Sequence, residues 1–146
     1  MRKKPELPAV FKTLPLFATC SDAELREIDS LADEVHVPAG RDIIRQGELG
    51  REFVVIVEGE ASVVRDGAEV AKLGPGAHFG ELALIESVPR NATVTATTDM
   101  VLEVIDRRGF QTLLDDSPHL TRNLLRATAR RLSEVDQRSR DVRPES

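Results

Sequence analysis

The sequence predicts a mainly β centre flanked by helices, and three observations predict it. Eight of the nine glycines fall between Gly40 and Gly80, which leaves both ends of the chain almost without turn residues. Ser21-Asp22-Ala23-Glu24 is a capping box, its serine and glutamate spaced to satisfy each other's backbone donors at a helix start. Ser117-Pro118 gives a cap followed by proline at the first position of a second helical region.

Residues 1–35 contain no glycine and read as helix. Val10, Phe11, Leu14, Leu16 and Phe17 form an apolar segment broken by Pro15, and Leu25, Ile28, Leu31 and Ala32 recur at helical spacing. From about 35 to 106 the glycines stand mostly seven to nine residues apart, the spacing of an all-β sandwich or barrel. Phe53-Val54-Val55-Ile56-Val57 is a β-prone run, and Asp66-Gly67 is a hairpin turn signal. Ala92-Thr93-Val94-Thr95-Ala96 alternates, and Val101-Leu102-Glu103-Val104-Ile105 makes another strand. Helix returns over 109–116 with Phe110, Leu113 and Leu114; after Pro118, Leu120, Leu124, Ala127, Leu132 and Val135 lie on or near one face. The expected organisation is one domain over 10–137: helical at 10–34, β at 35–106 and helical again at 107–137. The segments 1–9 and 138–146 are expected to be flexible tails.

A chain of 146 residues that is 40% apolar can bury one core. Its longest run without a charged residue is nine positions, 13–21, too short to span a membrane. The basic start Met1-Arg2-Lys3-Lys4-Pro5 is not followed by an apolar core of signal-peptide length, so a cytoplasmic protein is expected. A single cysteine, Cys20, rules out a disulfide framework and a cysteine-based zinc site. His36, His78 and His119 are scattered, and His78 and Glu81 sit only three apart with no second histidine nearby, so no metal is expected. Without a nucleophile motif, a P-loop or a metal cluster, no enzymatic activity is expected. The net charge of -5 argues against general nucleic-acid affinity, and the absence of Trp and Tyr against base stacking. Charge is nevertheless uneven, with 11 acidic and 4 basic residues over 21–60 and seven arginines against four acids over 118–146. Arg122, Arg126 and Arg130 recur every fourth residue, read here as a solvated helix face.

One stretch does not fit the strand pattern: Gly80-Glu81-Leu82-Ala83-Leu84-Ile85-Glu86-Ser87-Val88-Pro89-Arg90-Asn91-Ala92. Glu-Leu-Ala-Leu-Ile favours helix but has room for little more than a turn before Pro89. Its start follows Phe79-Gly80, where backbone amides can be presented to an anion. Arg90 would return to the same place, and a guanidinium meets a phosphate with paired charge-assisted bonds. The Glu81 carboxylate would repel a phosphate, so it suits a sugar hydroxyl. An anion donor set beside a hydroxyl acceptor describes the ribose-phosphate of a nucleotide.

This stretch, from Phe79 through Pro89-Arg90-Asn91-Ala92-Thr93-Val94, resembles the phosphate-binding cassette of the cyclic nucleotide-binding domain family. That family includes regulatory subunits of cyclic-AMP-dependent kinase, gated channels and bacterial transcription activators. A second block, Ile44-Arg45-Gln46-Gly47-Glu48 through Phe53 and Gly59, resembles the family's strand-turn-strand signature, and the likeness runs from about Phe11 to Val135. The resemblance implies an eight-stranded β-roll with N-terminal helices and two C-terminal helices. It gives Arg90 the cyclic phosphate and Glu81 the ribose 2'-hydroxyl, lines the pocket with the backbone at Gly80, Leu82, Ala83 and Asn91, and places Val70 and Leu73 in an apolar wall near the base.

Two positions depart from the family pattern. Gly50 is followed by Arg51 and Glu52, where the family often carries an acid that steadies the phosphate arginine. Either Glu52 substitutes, or Arg90 is held less firmly. Asn91 is neither the Thr or Ser that accompanies cyclic GMP preference nor the Ala that accompanies cyclic AMP preference; cyclic AMP is expected. The resemblance also implies a C-terminal helix that closes over the ligand, with Arg131, Leu132 and Val135 as lid candidates and Gly109 as a hinge. About ten residues follow that helix, too few for the helix-turn-helix of the bacterial activators. The expectation is a stand-alone regulatory module acting on a protein effector, without membrane or DNA, and with the last helix available for a homodimer. The alternative is a member that has lost its ligand and serves as a scaffold.

Overall fold

The computed structural model describes residues 11–50, 52–80 and 89–141, with side chains through residue 130. A 3-10 turn at Pro15–Phe17 leads into α1 (Asp22–Leu31). Eight strands follow among the described residues: β1 (Ala32–Val37), β2 (Asp42–Ile44), β3 (Glu52–Glu58), β4 (Ala61–Arg65), β5 (Ala68–Leu73), β6 (His78–Phe79), β7 (Thr93–Ala96) and β8 (Met100–Asp106). Two helices close the chain, α2 (Arg107–Asp116) and α3 (Pro118–Asp141). The strands make two antiparallel four-stranded sheets, ordered β1-β8-β3-β6 and β2-β7-β4-β5. This is the β-roll with flanking helices that the sequence predicts. No described helix is long and apolar enough to cross a membrane.

The apolar run of β3 is explained by burial on both faces. Phe53 and Val55 pack into a cluster with Phe11, Phe17, Leu25, Ile28, Phe110 and Leu113, which is the helical layer. Val54 and Ile56 pack instead between the sheets with Phe79, Val94, Leu102 and Val104. Successive strand residues face opposite ways, so a strand between two cores reads as continuously hydrophobic. Truncating Phe53 removes a side chain shared by sheet and helices, a change that costs about 3–5 kcal/mol in such cores. Phe53 also stacks on Phe110 of α2, with centroids 4.7 Å apart, and on His78 of β6 at 5.7 Å.

Two boundaries differ from the sequence reading. β1 begins at Ala32, immediately after α1, because Ala32 pairs with Ile105 of β8 and this ladder overrides the helical spacing. α3 continues past residue 137 to Asp141: the residues beyond its apolar stripe are arginine-, glutamine- and acid-rich, and neither glycine nor proline interrupts them. Arg122, Arg126 and Arg130 are exposed, as expected.

The two ends of the chain meet at Glu24. The capping box forms as read: the Ser21 N–H donates to Glu24 Oε1 at 2.9 Å, and the Glu24 N–H donates to Ser21 Oγ at 3.1 Å. The same carboxylate accepts from Ser117 Oγ at the α2–α3 junction, and His119 Nδ1 lies 2.7 Å from its Oε1. His119, though exposed, is therefore a partner of the N-terminal helix. Asn123 Nδ2 adds bonds to the Leu16 carbonyl at 2.9 Å and to Thr19 Oγ1 at 2.8 Å. Burial, with the Glu24 charge nearby, pushes the Cys20 thiol up to about 11, so it stays a protonated core residue.

Burial raises the Glu24 carboxyl, but hydrogen bonds from the Ser117 hydroxyl, the Ser21 backbone and His119 outweigh it and bring it from 4.5 to about 2. A folded value below the ordinary one means that the stability is present above about pH 4.5 and is lost as pH falls toward about 2. Glu24→Ala is expected to lower the unfolding free energy at neutral pH by about 1–3 kcal/mol. Urea unfolding of both proteins across the acid range should show the gap narrowing below about pH 4.5. A gap independent of pH would mean that the carboxylate charge contributes nothing.

Candidate functional site

Arg90 is stitched into the roll before its side chain does anything. The Gly47 N–H donates to the Arg90 carbonyl at 2.8 Å, and the Arg90 N–H donates to the Glu48 carbonyl at 2.7 Å. Leu49 and Pro89 form a bridge alongside, and the Gln46 N–H donates to Thr93 Oγ1 at 2.9 Å. The loop after β2 and the residues before β7 therefore form one backbone clip.

From that clip the Arg90 side chain runs inward and is only 6% exposed. Its Nη1 donates to the Gly80 carbonyl at 3.0 Å and its Nη2 to the Glu52 carbonyl at 2.7 Å. These oxygens come from the residue just after β6 and from the start of β3. These two carbonyls fix the plane of the guanidinium through neutral acceptors. The Glu52 carboxylate is exposed and does not bond Arg90. Of the two alternatives raised by the departure at Arg51, substitution by the Glu52 side chain is not what the structure shows: Glu52 serves through its main chain.

Gly80 is required twice over. Its φ is +97°, a region that costs other residues strain. A Cβ there would lie 2.6 Å from both Arg90 Nη1 and the Glu52 carbonyl. A side chain at this position would enter the space where the guanidinium meets its carbonyls.

The structure thus brings Gly80 and Arg90 together, as the sequence suggested. Asn91 is exposed, and its carbonyl accepts from Arg65 Nε at 3.1 Å. Val70 and Leu73 lie on β5, the edge strand of the second sheet; Val70 is 48% exposed, while Leu73 packs toward the inter-sheet core. Glu81, Leu82 and Ala83 lie outside the described residues, and of Arg131, Leu132 and Val135 only the helical backbone of α3 is described. Gly109 sits in the first turn of α2, where β8 hands over to the helices; its N–H donates to Asp106 Oδ1 at 2.7 Å and a Cβ would press on Ile105. Sequence reasoning missed the Glu52 carbonyl, which no residue type signals. Among the described residues, no group of three or more His, Cys, Asp or Glu side chains could hold a metal.

Comparison with known proteins gives this geometry a context. The cyclic nucleotide-binding domain family matches residues 34–117. The chain is 36% identical over 127 residues to the cAMP-dependent protein kinase regulatory subunit of Schizosaccharomyces pombe, covering 86% of this chain and 31% of that protein. It is 41% identical over 116 residues to a cyclic nucleotide-gated potassium channel of Mesorhizobium japonicum, covering 80% and 32%. The chain thus spans about a third of the length of these relatives. The catabolite activator protein of Thermus thermophilus superposes with a TM-score of 0.78 at 32% identity, over 85% of this chain and 61% of that one. The regulatory subunit of a cAMP-independent protein kinase A from Trypanosoma brucei gives 0.76 at 26% identity, over 83% and 44%.

The collision at Gly80 has a measurable consequence. Gly40 also has positive φ, +91°, but open space where a Cβ would stand. Gly40→Ala should lose only backbone strain, about 1 kcal/mol, whereas Gly80→Ala should lose about 1–3 kcal/mol beyond that. Denaturant midpoints of the two variants test this, and equal losses would make Gly80 a turn glycine and nothing more.

Proposed function

The chain belongs to the cyclic nucleotide-binding domain family, and on that premise we propose that it is a regulatory module binding cyclic AMP in preference to cyclic GMP. The observation that carries the reading is the buried Arg90 guanidinium, oriented by the Gly80 and Glu52 carbonyls. A cyclic phosphate has one negative charge and two exocyclic oxygens, which suit a fixed guanidinium edge. Partial burial strengthens that pairing, because screening by water is weaker there. Glu81 takes the ribose 2'-hydroxyl, the backbone at Gly80, Leu82, Ala83 and Asn91 lines the pocket, and Val70 and Leu73 face the base. Val70 is exposed, so a purine laid against it buries apolar surface on both partners.

Output runs through the C-terminal helices to a protein effector. Arg131, Leu132 and Val135 of α3 close over the base, and the ligand shifts α3 only by its differential affinity for the closed state. The start of α3 is bound to the N-terminal segment through Glu24 and Asn123. Movement of α3 at its root therefore carries the N-terminal segment along. The module binds and signals; it does not catalyse.

Calorimetry of cyclic AMP and cyclic GMP with the wild type and with Arg90→Ala tests this reading. Wild type should bind cyclic AMP more tightly than cyclic GMP. Arg90→Ala should weaken binding by about 2–5 kcal/mol, since the desolvated phosphate loses its charged partner. Equal affinities in the two proteins would end the assignment of Arg90. A wild type that binds neither nucleotide would favour the ligand-less interaction module.

A further inference from the structure

The clip that holds the Arg90 backbone also fixes a second arginine. Gln46, whose neighbours Gly47 and Glu48 bond the Arg90 main chain, reaches across to the β4–β5 turn. Its Nε2 donates to Asp66 Oδ1 at 2.8 Å, and its Oε1 accepts from the Asp66 N–H at 2.9 Å. Asp66 has φ +53°, so a strained turn residue is pinned by two bonds from one side chain. Arg65 immediately precedes it and ends β4.

Strand alternation shows which way Arg65 faces. Ala61 and Val63 of β4 pack into the core between the sheets, and their pairing with Ala96 and Val94 of β7 is regular through Val64. The register shift in this hairpin falls on β5, where Glu69 and Ala71 pair with the consecutive residues Val64 and Val63. Two residues beyond Val63, Arg65 therefore shares the inward face of the sheet. Ala92, Val94 and Ala96 are buried on that face, and Arg90 precedes them in the same alternation.

The Arg65 guanidinium is exposed, and its Nε donates to the carbonyl of Asn91, the residue next to Arg90. Among the described residues it makes no ion pair. A guanidinium carries five N–H donors, and this bond uses one, at the end away from the Nη fork.

We infer that Arg65 is a second ligand-recognising arginine, whose Nη fork binds the anionic end of the ligand that Arg90 holds. The inference rests on the proposed cyclic nucleotide site and adds a residue to it. Two cations then share one phosphate, Arg90 buried and oriented by carbonyls, Arg65 exposed and hung on the intervening peptide. An exposed contact of this kind is screened by salt far more than a buried one.

Calorimetry with cyclic AMP separates the inference from its premise. Arg65→Ala should weaken binding by about tenfold at low salt, and the wild-type-to-variant ratio should fall to about threefold or less near 0.5 M salt. Arg65→Gln keeps a donor for the Asn91 carbonyl but no charge, and should lose about as much as Arg65→Ala. Thermal midpoints of both variants should stay at the wild-type value. Wild-type affinity in Arg65→Gln would make Arg65 a support for the Asn91 backbone and overturn the inference, as would a loss unchanged by salt. Binding by the wild type that Arg65→Ala leaves intact would overturn the inference alone, whereas a wild type that binds no cyclic nucleotide removes the premise.

Discussion

A buried guanidinium must have its N–H groups met by oxygen, or the fold loses several kcal/mol. For Arg90, two of those oxygens are main-chain carbonyls, one at the start of β3 and one just after β6. Main-chain carbonyls occupy these positions only when β3 and β6 are paired in register, with Val54 opposite Phe79 and Val55 opposite His78. A slip of one residue would exchange the two faces of β3 and move both acceptors. The site therefore depends on sheet register. Gly80 is the residue that lets carbonyl and guanidinium approach, because a Cβ there would occupy the same space.

The same register ties the site to the helices. β6 is two residues long: Phe79 enters the inter-sheet core, while His78 faces the helical side and stacks toward Phe53. Phe53 in turn stacks on Phe110 of α2, so an aromatic column runs from the residue two before Gly80 to the first turn of α2. At the far end of α2, Ser117 and His119 converge on Glu24. Packed side chains of this kind shift as units and do not deform smoothly. A change at the cassette has a continuous path to the base of α3, and the N-terminal segment forms part of that path.

Much of this was legible in the sequence, and the rest was not for definite physical reasons. The capping box at Ser21 and Glu24 is a local pattern four residues long, and it formed as read. The apolar run at 53–57 announced a strand, but not that its alternate residues enter two different cores, since a continuous run hides which face each residue takes. Gly80 and Arg90 stood out through the motif around them. The Glu52 carbonyl could not, because every residue has one. His119 and Glu24 are 95 positions apart, and only the completed fold brings them together. Arg65 was hidden likewise: its partner is the backbone of Asn91, and its inward facing depends on where the hairpin places its extra residue.

The most direct measurement is a crystal structure of the chain with cyclic AMP bound. The account predicts phosphate oxygens about 2.7–2.9 Å from the Arg90 guanidinium, with the bonds to the Gly80 and Glu52 carbonyls retained. A phosphate lodged elsewhere in the roll, or an Arg90 side chain that has left both carbonyls to reach it, would contradict the claim that the fold sets this cation in place before the ligand arrives.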